Sequence, residues 1–312
     1  MKIVFYSPVN NPRPWLDSLA AGMPGAEVWA WTPECANRQA DYAVLWAPPL
    51  ELFKSQHQLK AVFNIGAGVD RILMCPDIYR LLNGAIIVRL NDAGMAVQMA
   101  EYVCHALFRH AREFAEYERQ QRNCKWKPLA GIDRAAWPVG VMGLGAMGER
   151  AARSIAAFEY PVFGWSRTPR SLAGIRSFAG PEGLDEFLSN SRVLVCALPL
   201  TPATVGIVNA RALGMLKPHG YLINVARGAH LVEADLIELL DGNQMAGATL
   251  DVFDDEPLPV GHPFWNHPKV TVTPHIAAVT LREPSVQQIV SKINSIKLSL
   301  PVEGIVFPDK GY

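Results

Sequence analysis

The chain reads as an α/β protein of two domains, each built on a parallel sheet. Three observations predict this. Short apolar runs alternate with amphipathic helical stretches along the chain. The alternation begins a second time after a long helical stretch near residues 97–122. A length of 312 residues is enough for two domains with separate cores. No internal repeat, low-complexity tract or Gly/Ser linker interrupts the pattern.

In the first series the spacing predicts strands at Ile3–Tyr6, Glu27–Ala30, Tyr42–Leu45, Ala61–Asn64 and Ile86–Arg89. Turn residues close several of them, such as Pro48-Pro49 and Gly66-Ala67-Gly68. A helix from Val97 to Arg122 follows. It carries apolar Met99, Val103, Ala106, Leu107 and Phe108, then becomes solvated where Arg112, Glu113, Glu116, Glu118, Arg119 and Arg122 crowd its end. Its length suits a connector. The second series predicts strands at Pro138–Met142, Val162–Trp165, Val193–Ala197, Tyr221–Asn224, Gly247–Asp251 and Lys269–Thr273, with a helix at Met147–Phe158. Short buried strands between helices describe a doubly wound sheet. A last helix is predicted over Glu283–Leu298.

Composition narrows the classes of function. Hydrophobic residues at 50% and charged residues at 19% describe a compact fold, not a disordered chain. The 29 basic and 29 acidic side chains cancel, so no overall field draws the protein to nucleic acid or an anionic membrane. Five cysteines with no C-x-x-C pair argue against a disulfide framework or zinc site and suit a reducing cytoplasm. The N-terminal apolar run is too short for a signal peptide, and no stretch approaches a membrane span.

The glycine turn Gly143-Leu144-Gly145-Ala146-Met147-Gly148 joins a predicted strand to a predicted helix. That context makes it a Rossmann-type dinucleotide fingerprint: a tight turn, a close approach to pyrophosphate, and close helix packing. Backbone N–H groups at the helix start would face the phosphates. At the end of the next strand an NAD site usually has a carboxylate for the ribose hydroxyl. Here stand Ser166, Arg167, Thr168 and, two residues on, Arg170. Arginine and hydroxyl groups suit a 2′-phosphate, so NADP(H) is expected over NAD(H).

These motifs, with Gly66-Ala67-Gly68-Val69-Asp70, Leu198-Pro199-Leu200-Thr201-Pro202, Asn224-Val225-Ala226-Arg227-Gly228, Asp251-Val252-Phe253-Asp254-Asp255-Glu256-Pro257 and Thr273-Pro274-His275, run nearly the full length. The chain resembles the D-isomer-specific 2-hydroxyacid dehydrogenases, and within them the glyoxylate/hydroxypyruvate reductase A branch. The resemblance implies a catalytic triplet of Arg227, Glu256 and His275. It implies dinucleotide contacts at Leu198, Pro199, Thr204, Val225, Ala226 and Asp251. It also implies a substrate carboxylate bound by the backbone at Ala67, Gly68 and Val69 opposite Arg227. Departures are mild: Ala277-Ala278 replaces a common glycine, and Glu233 stands where Asp is frequent.

The residues support the same chemistry. Arg227 follows a strand at the carboxyl edge of an open sheet, and its planar fork suits a carboxylate while polarising the adjacent ketone. His275 follows another strand and can protonate the developing alkoxide. Glu256 would accept its other ring N–H and orient it. The acidic run 254–256 lacks histidine at metal spacing, and no metal is expected. His230, His262 and His267 read as loop residues. Trp46, after a predicted strand, would close the substrate pocket.

The expected architecture is a flavodoxin-like substrate domain (residues 1–98 and 286–312) and a Rossmann cofactor domain (99–285), with substrate in the cleft and hinge closure excluding water. The activity expected from the branch is NADPH-dependent reduction of glyoxylate to glycolate and hydroxypyruvate to glycerate, in a homodimer. Residue chemistry alone reaches "small 2-oxo acid". Phosphoglycerate dehydrogenase, formate dehydrogenase and a dinucleotide-sensing corepressor are the alternatives. They would favour NAD(H), a longer chain or an exposed peptide groove.

Overall fold

The computed structural model describes residues 1–307, so the last five residues of the expected 286–312 segment lie outside the described residues. Two compact units are present. One is Met1–Gly94 with the segment beginning at Thr280; the other is Met95–Val279.

The first unit carries five parallel strands: β1 (Lys2–Tyr6), β2 (Glu27–Ala30), β3 (Tyr42–Leu45), β4 (Ala61–Asn64) and β5 (Ile86–Arg89), in the order β2-β1-β3-β4-β5. This is the flavodoxin-like order expected from the sequence. The central strands are mostly apolar runs, as parallel strands covered on both faces require. Ile3, Val4, Phe5, Val44, Leu45, Val62 and Phe63 have no exposed surface. The helix Arg282–Lys297 returns to this unit and lies along Pro12–Gly22, where a Cβ at Gly22 would come within 2.8 Å of Val290.

The second unit carries β6 (Val139–Met142), β7 (Val162–Ser166), β8 (Arg176–Ala179), β9 (Val193–Cys196), β10 (Gly220–Asn224), β11 (Met245–Leu250) and β12 (Val270–Val272). Their order is β12-β11-β10-β9-β6-β7-β8, all parallel, which is the expected Rossmann arrangement with one further strand. The order reverses between β6 and β9, where Met142 is in register with Cys196. That crevice, outside the carboxyl ends of the strands, is where doubly wound sheets bind ligands.

Two differences from the expectation have physical causes. β8 was not anticipated because it is an edge strand: of Arg-Ser-Phe-Ala only Phe178 is buried, so no apolar run marks it. The single helix expected over 97–122 is two, Met95–Ala111 and Phe114–Arg122, broken where Glu113 takes a left-handed φ of 55°. No glycine or proline signals the break. An ion pair of Arg109 with Glu118 spans it, with Arg109 Nη2 donating to Glu118 Oε2 at 3.0 Å. Among the described residues no helix is long and apolar enough to cross a membrane.

Candidate active site

Each glycine of the turn after β6 has a separate steric reason. Gly143 has φ 104°, and a Cβ there would lie 2.6 Å from the Ala197 carbonyl oxygen at the end of β9. Gly148 sits in the first turn of the helix Ala146–Ala156, where a Cβ would lie 1.8 Å from the Gly143 carbonyl oxygen. Gly145, the residue that caps that helix, has nothing within 4 Å of its Cβ position. The first and third glycines therefore let the helix close on the sheet, and the second leaves room in front of the helix N-terminus. Helix N-termini of this kind offer amides with no partner inside the helix, which is how they accept phosphate groups. Leu144 is buried and its side chain packs where a Cβ of Gly164 in β7 would be. Ala146 and Met147 begin the helix itself.

β7 runs beside this turn: the Gly143 amide donates to the Trp165 carbonyl at 2.8 Å. Ser166 ends the strand, and its hydroxyl donates to the Thr168 carbonyl at 2.8 Å, folding the loop back. Arg167, Thr168 and Arg170 are exposed there. On the other side of the crevice, Leu198 is buried and Pro199 exposed. Thr204 Oγ1 donates to the Pro199 carbonyl at 2.8 Å and accepts from the Thr201 amide at 2.9 Å, so this hydroxyl shapes its own loop. Val225 and Ala226 are buried beyond β10.

Arg227 follows them. Its Nη1 donates to the Ala226 carbonyl at 2.7 Å, and its own carbonyl accepts from Asn224 Nδ2 at 3.0 Å. Gly228 then passes so close to the next loop that a Cβ would lie 1.9 Å from the Phe253 carbonyl carbon and 2.1 Å from the Asp254 nitrogen. This contact brings the arginine loop against the loop that carries Glu256.

Glu256 and His275 are paired, Oε2 to Nδ1, at 2.8 Å. The other oxygen, Oε1, accepts from the Phe253 amide at 3.1 Å. Burial alone would raise the Glu256 pKa. The hydrogen bonds from His275 and Phe253, with the positive charges of His275 and Arg227, outweigh that and lower it below the usual glutamate value. The carboxylate is therefore ionised at neutral pH and holds the ring by its inner nitrogen. With Nδ1 so engaged, Nε2 is the nitrogen left for a reacting group.

The backbone at His275 is left-handed, φ 55°, an unusual conformation for a residue with a Cβ. Asp251 holds it there. The His275 amide donates to the Asp251 carbonyl at 2.9 Å. The Asp251 carboxylate accepts from Thr273 Oγ1 at 2.6 Å, the Ile276 amide at 2.8 Å and the Ala277 amide at 2.7 Å. Tyr102, from the helix Met95–Ala111, hydrogen-bonds the same threonine. Asp251 is 1% exposed, so what the structure gives this residue is the shape of the His275 loop.

In the first unit, Trp46 follows β3 and packs on Gly66, where a Cβ would lie 2.0 Å from its ring. Asn64 Nδ2 donates to the carbonyls of Gly66 and Gly68 at 2.8 and 2.9 Å, fixing the loop of Ala67, Gly68 and Val69. Trp46 and this loop thus meet at the carboxyl edge of the smaller sheet.

With this geometry in hand, the similarities decide the family. Residues 104–277 match the D-isomer specific 2-hydroxyacid dehydrogenase, NAD binding domain. The chain is 44% identical over 314 residues to a glyoxylate/hydroxypyruvate reductase A from Serratia proteamaculans, covering all of both chains. The protein belongs to the D-isomer specific 2-hydroxyacid dehydrogenase family. Solved structures agree. A family member from Xanthobacter autotrophicus in complex with NADPH and MES superposes with a TM-score of 0.93 at 39% identity, covering 100% of this chain and 99% of that one. An NADPH-dependent glyoxylate/hydroxypyruvate reductase from Sinorhizobium meliloti, in complex with NADP and sulfate, gives 0.92 at 35% identity over the same shares.

Sequence reasoning missed three contributors to this dehydrogenase site. His230 was expected to be a loop residue but has no exposed surface, with Nδ1 at 3.1 Å from the Arg227 carbonyl. Asn224 and Gly228 lie inside a motif quoted for Arg227, yet their part depends on contacts made across the loop. His262, also expected in a loop, pairs with Glu233 at 3.0 Å, which gives that glutamate a local partner.

Proposed function

We propose that this protein is an NADPH-dependent reductase of small 2-oxo acids, converting glyoxylate to glycolate and hydroxypyruvate to glycerate. The observation that carries the reading is the His275–Glu256 pair at 2.8 Å, held within the charge field of Arg227. Full-length similarity to glyoxylate/hydroxypyruvate reductases supports the substrate class. Reduced dinucleotide at the glycine turn would supply the hydride to the carbonyl carbon. Arg227 binds the substrate carboxylate and polarises the ketone. His275 delivers the proton from Nε2 to the oxygen that gains negative charge, and Glu256 stabilises the protonated ring before transfer. The amides of Ala67, Gly68 and Val69 add carboxylate donors in this reading, and Trp46 limits substrate size.

For the cofactor, Gly143, Leu144, Gly145, Ala146, Met147 and Gly148 hold the pyrophosphate. Ser166, Arg167, Thr168 and Arg170 take the 2′-phosphate. Leu198, Pro199, Thr204, Val225 and Ala226 line the remainder, and Asp251 acts on it through the loop it holds at His275. The open space before Gly145 and the absence of a carboxylate in the loop after β7 support NADP(H). The proposal assigns substrate binding to residues 1–98 and 286–312 and cofactor binding to 99–285. It also includes a homodimer in the cytoplasm; Trp126 at 99% exposure, with exposed Phe114 and Tyr117, supports a covering partner copy.

Loss of reduced-nicotinamide absorbance tests the reading, with glyoxylate, hydroxypyruvate, pyruvate and phosphohydroxypyruvate compared using NADPH and NADH. We expect the highest kcat/KM with NADPH and glyoxylate or hydroxypyruvate. Preference for NADH with phosphohydroxypyruvate would overturn it.

A further inference from the structure

A buried side chain outside the mechanism above touches both halves of the second unit's site. His230 ends the short turn Gly228–His230 and has no exposed surface. Its Nδ1 lies 3.1 Å from the Arg227 carbonyl oxygen, and its Nε2 lies 3.3 Å from the Pro199 carbonyl oxygen. Both neighbours are acceptors, so each nitrogen engages its partner only while it carries a proton. A neutral ring therefore donates to one loop at a time, and a protonated ring to both.

The two loops also have donors of their own. Asn224 serves Arg227, and Thr204 serves Pro199, each from within the same loop. The imidazole instead reaches from one loop to the other, across 31 positions of sequence. The backbone brings them side by side: the Gly206 amide donates to the Ala229 carbonyl at 2.8 Å, and the Val208 amide to the His230 carbonyl at 2.9 Å. An apolar ring would fill this space without the desolvation cost of a buried polar one, so filling alone does not explain histidine here.

We propose that His230 is a positioning residue that couples the dinucleotide-lining loop at Pro199 to the substrate-binding Arg227. The role rests on the reductase reading above. It means that ordering either loop by its ligand presets the other.

Three variants of the full-length protein separate the two bonds. In His230→Asn the amide nitrogen stands in for Nδ1 and keeps the Arg227 bond. In His230→Gln it stands in for Nε2 and keeps the Pro199 bond. His230→Phe keeps neither. NADPH dissociation constants from nicotinamide fluorescence, glyoxylate KM, kcat and Tm are measured for each. Loss of one such bond is expected to weaken the affected ligand by about three- to tenfold. A neutral ring makes one of the two bonds, so one variant of the pair should weaken its own ligand alone: NADPH in His230→Asn if the wild-type bond is to Pro199, glyoxylate in His230→Gln if it is to Arg227. A ring protonated on both nitrogens gives both losses, and His230→Phe should lose every bond the wild type makes. The proposal is overturned if the Asn and Gln variants weaken both ligands by the same factor in step with a fall in Tm. It is overturned equally if neither variant changes either constant. Should the Phe variant fail to fold, the Asn and Gln pair still decides. Wild-type protein that binds NADPH but reduces no 2-oxo acid would instead overturn the reductase reading.

Discussion

His275 combines a reactive ring with a backbone conformation that its Cβ disfavours. Such a residue stays in place only because its surroundings over-determine it, and here Asp251 does so through its backbone carbonyl and both carboxylate oxygens. Removing the imidazole should remove the proton donor and leave the scaffold. His275→Ala is expected to lower kcat by about 10²–10⁴-fold with little change in NADPH affinity, measured by steady-state turnover and fluorescence titration. Near-normal kcat would exclude the role. Glu256 has a lowered pKa, so its charge is present above the usual glutamate range and is lost only as pH falls below it. Glu256→Gln keeps a hydrogen-bonding group but removes the charge that favours the protonated ring. Its pH–rate profile should therefore lose the dependence on carboxylate ionisation on the acid side; an unchanged profile would remove Glu256 from the pair.

At the level of elements, the proposed reading puts specificity for the dinucleotide where β7 ends. A carboxylate there would repel a 2′-phosphate, whereas Arg167 would attract it. Arg167→Asp should shift the ratio of kcat/KM values for NADPH and NADH towards NADH, and an unchanged ratio would place phosphate recognition elsewhere. This element was legible because strand, glycine turn and next strand follow one another within some thirty residues, and local order fixes their geometry. Elements whose form depends on distant contacts were less legible. β8 lacks an apolar run because only one face of one residue meets the core. The bend at Glu113 lies in a stretch of good helix formers, and a pairing of Arg109 with Glu118 accompanies it. His230 looked like a loop histidine because its burial comes from the pairing of 206–208 with 229–231, which no local pattern records. The placement of Arg227, Glu256 and His275 was readable for the opposite reason: each sits in a short motif that follows a strand.

Over the whole molecule, the balance of 29 basic and 29 acidic groups means that general charge repulsion does not set stability near neutrality. One half-buried group, His110, adds a pH dependence of its own. It stacks on Tyr221 of β10 with ring centroids 3.7 Å apart and meets Trp137 edge-on at 5.3 Å, joining a helix to the sheet. Its Nε2 is buried without a hydrogen-bond partner. Burial first, and the charge of Arg192 second, push its pKa down to about 4. In the unfolded chain it would titrate at the ordinary value of about 6.5. The unfolded state thus binds more protons between those values, so stability is full above pH 6.5 and falls as pH drops towards 4. The gap corresponds to roughly 3 kcal/mol. His110→Phe keeps an aromatic ring in the stack and removes the titration. Its Tm should change much less than that of the wild type between pH 7 and 4, followed by thermal unfolding at a series of pH values. If the two proteins lose Tm in parallel, acid sensitivity arises from the carboxylates and His110 is protonated without cost.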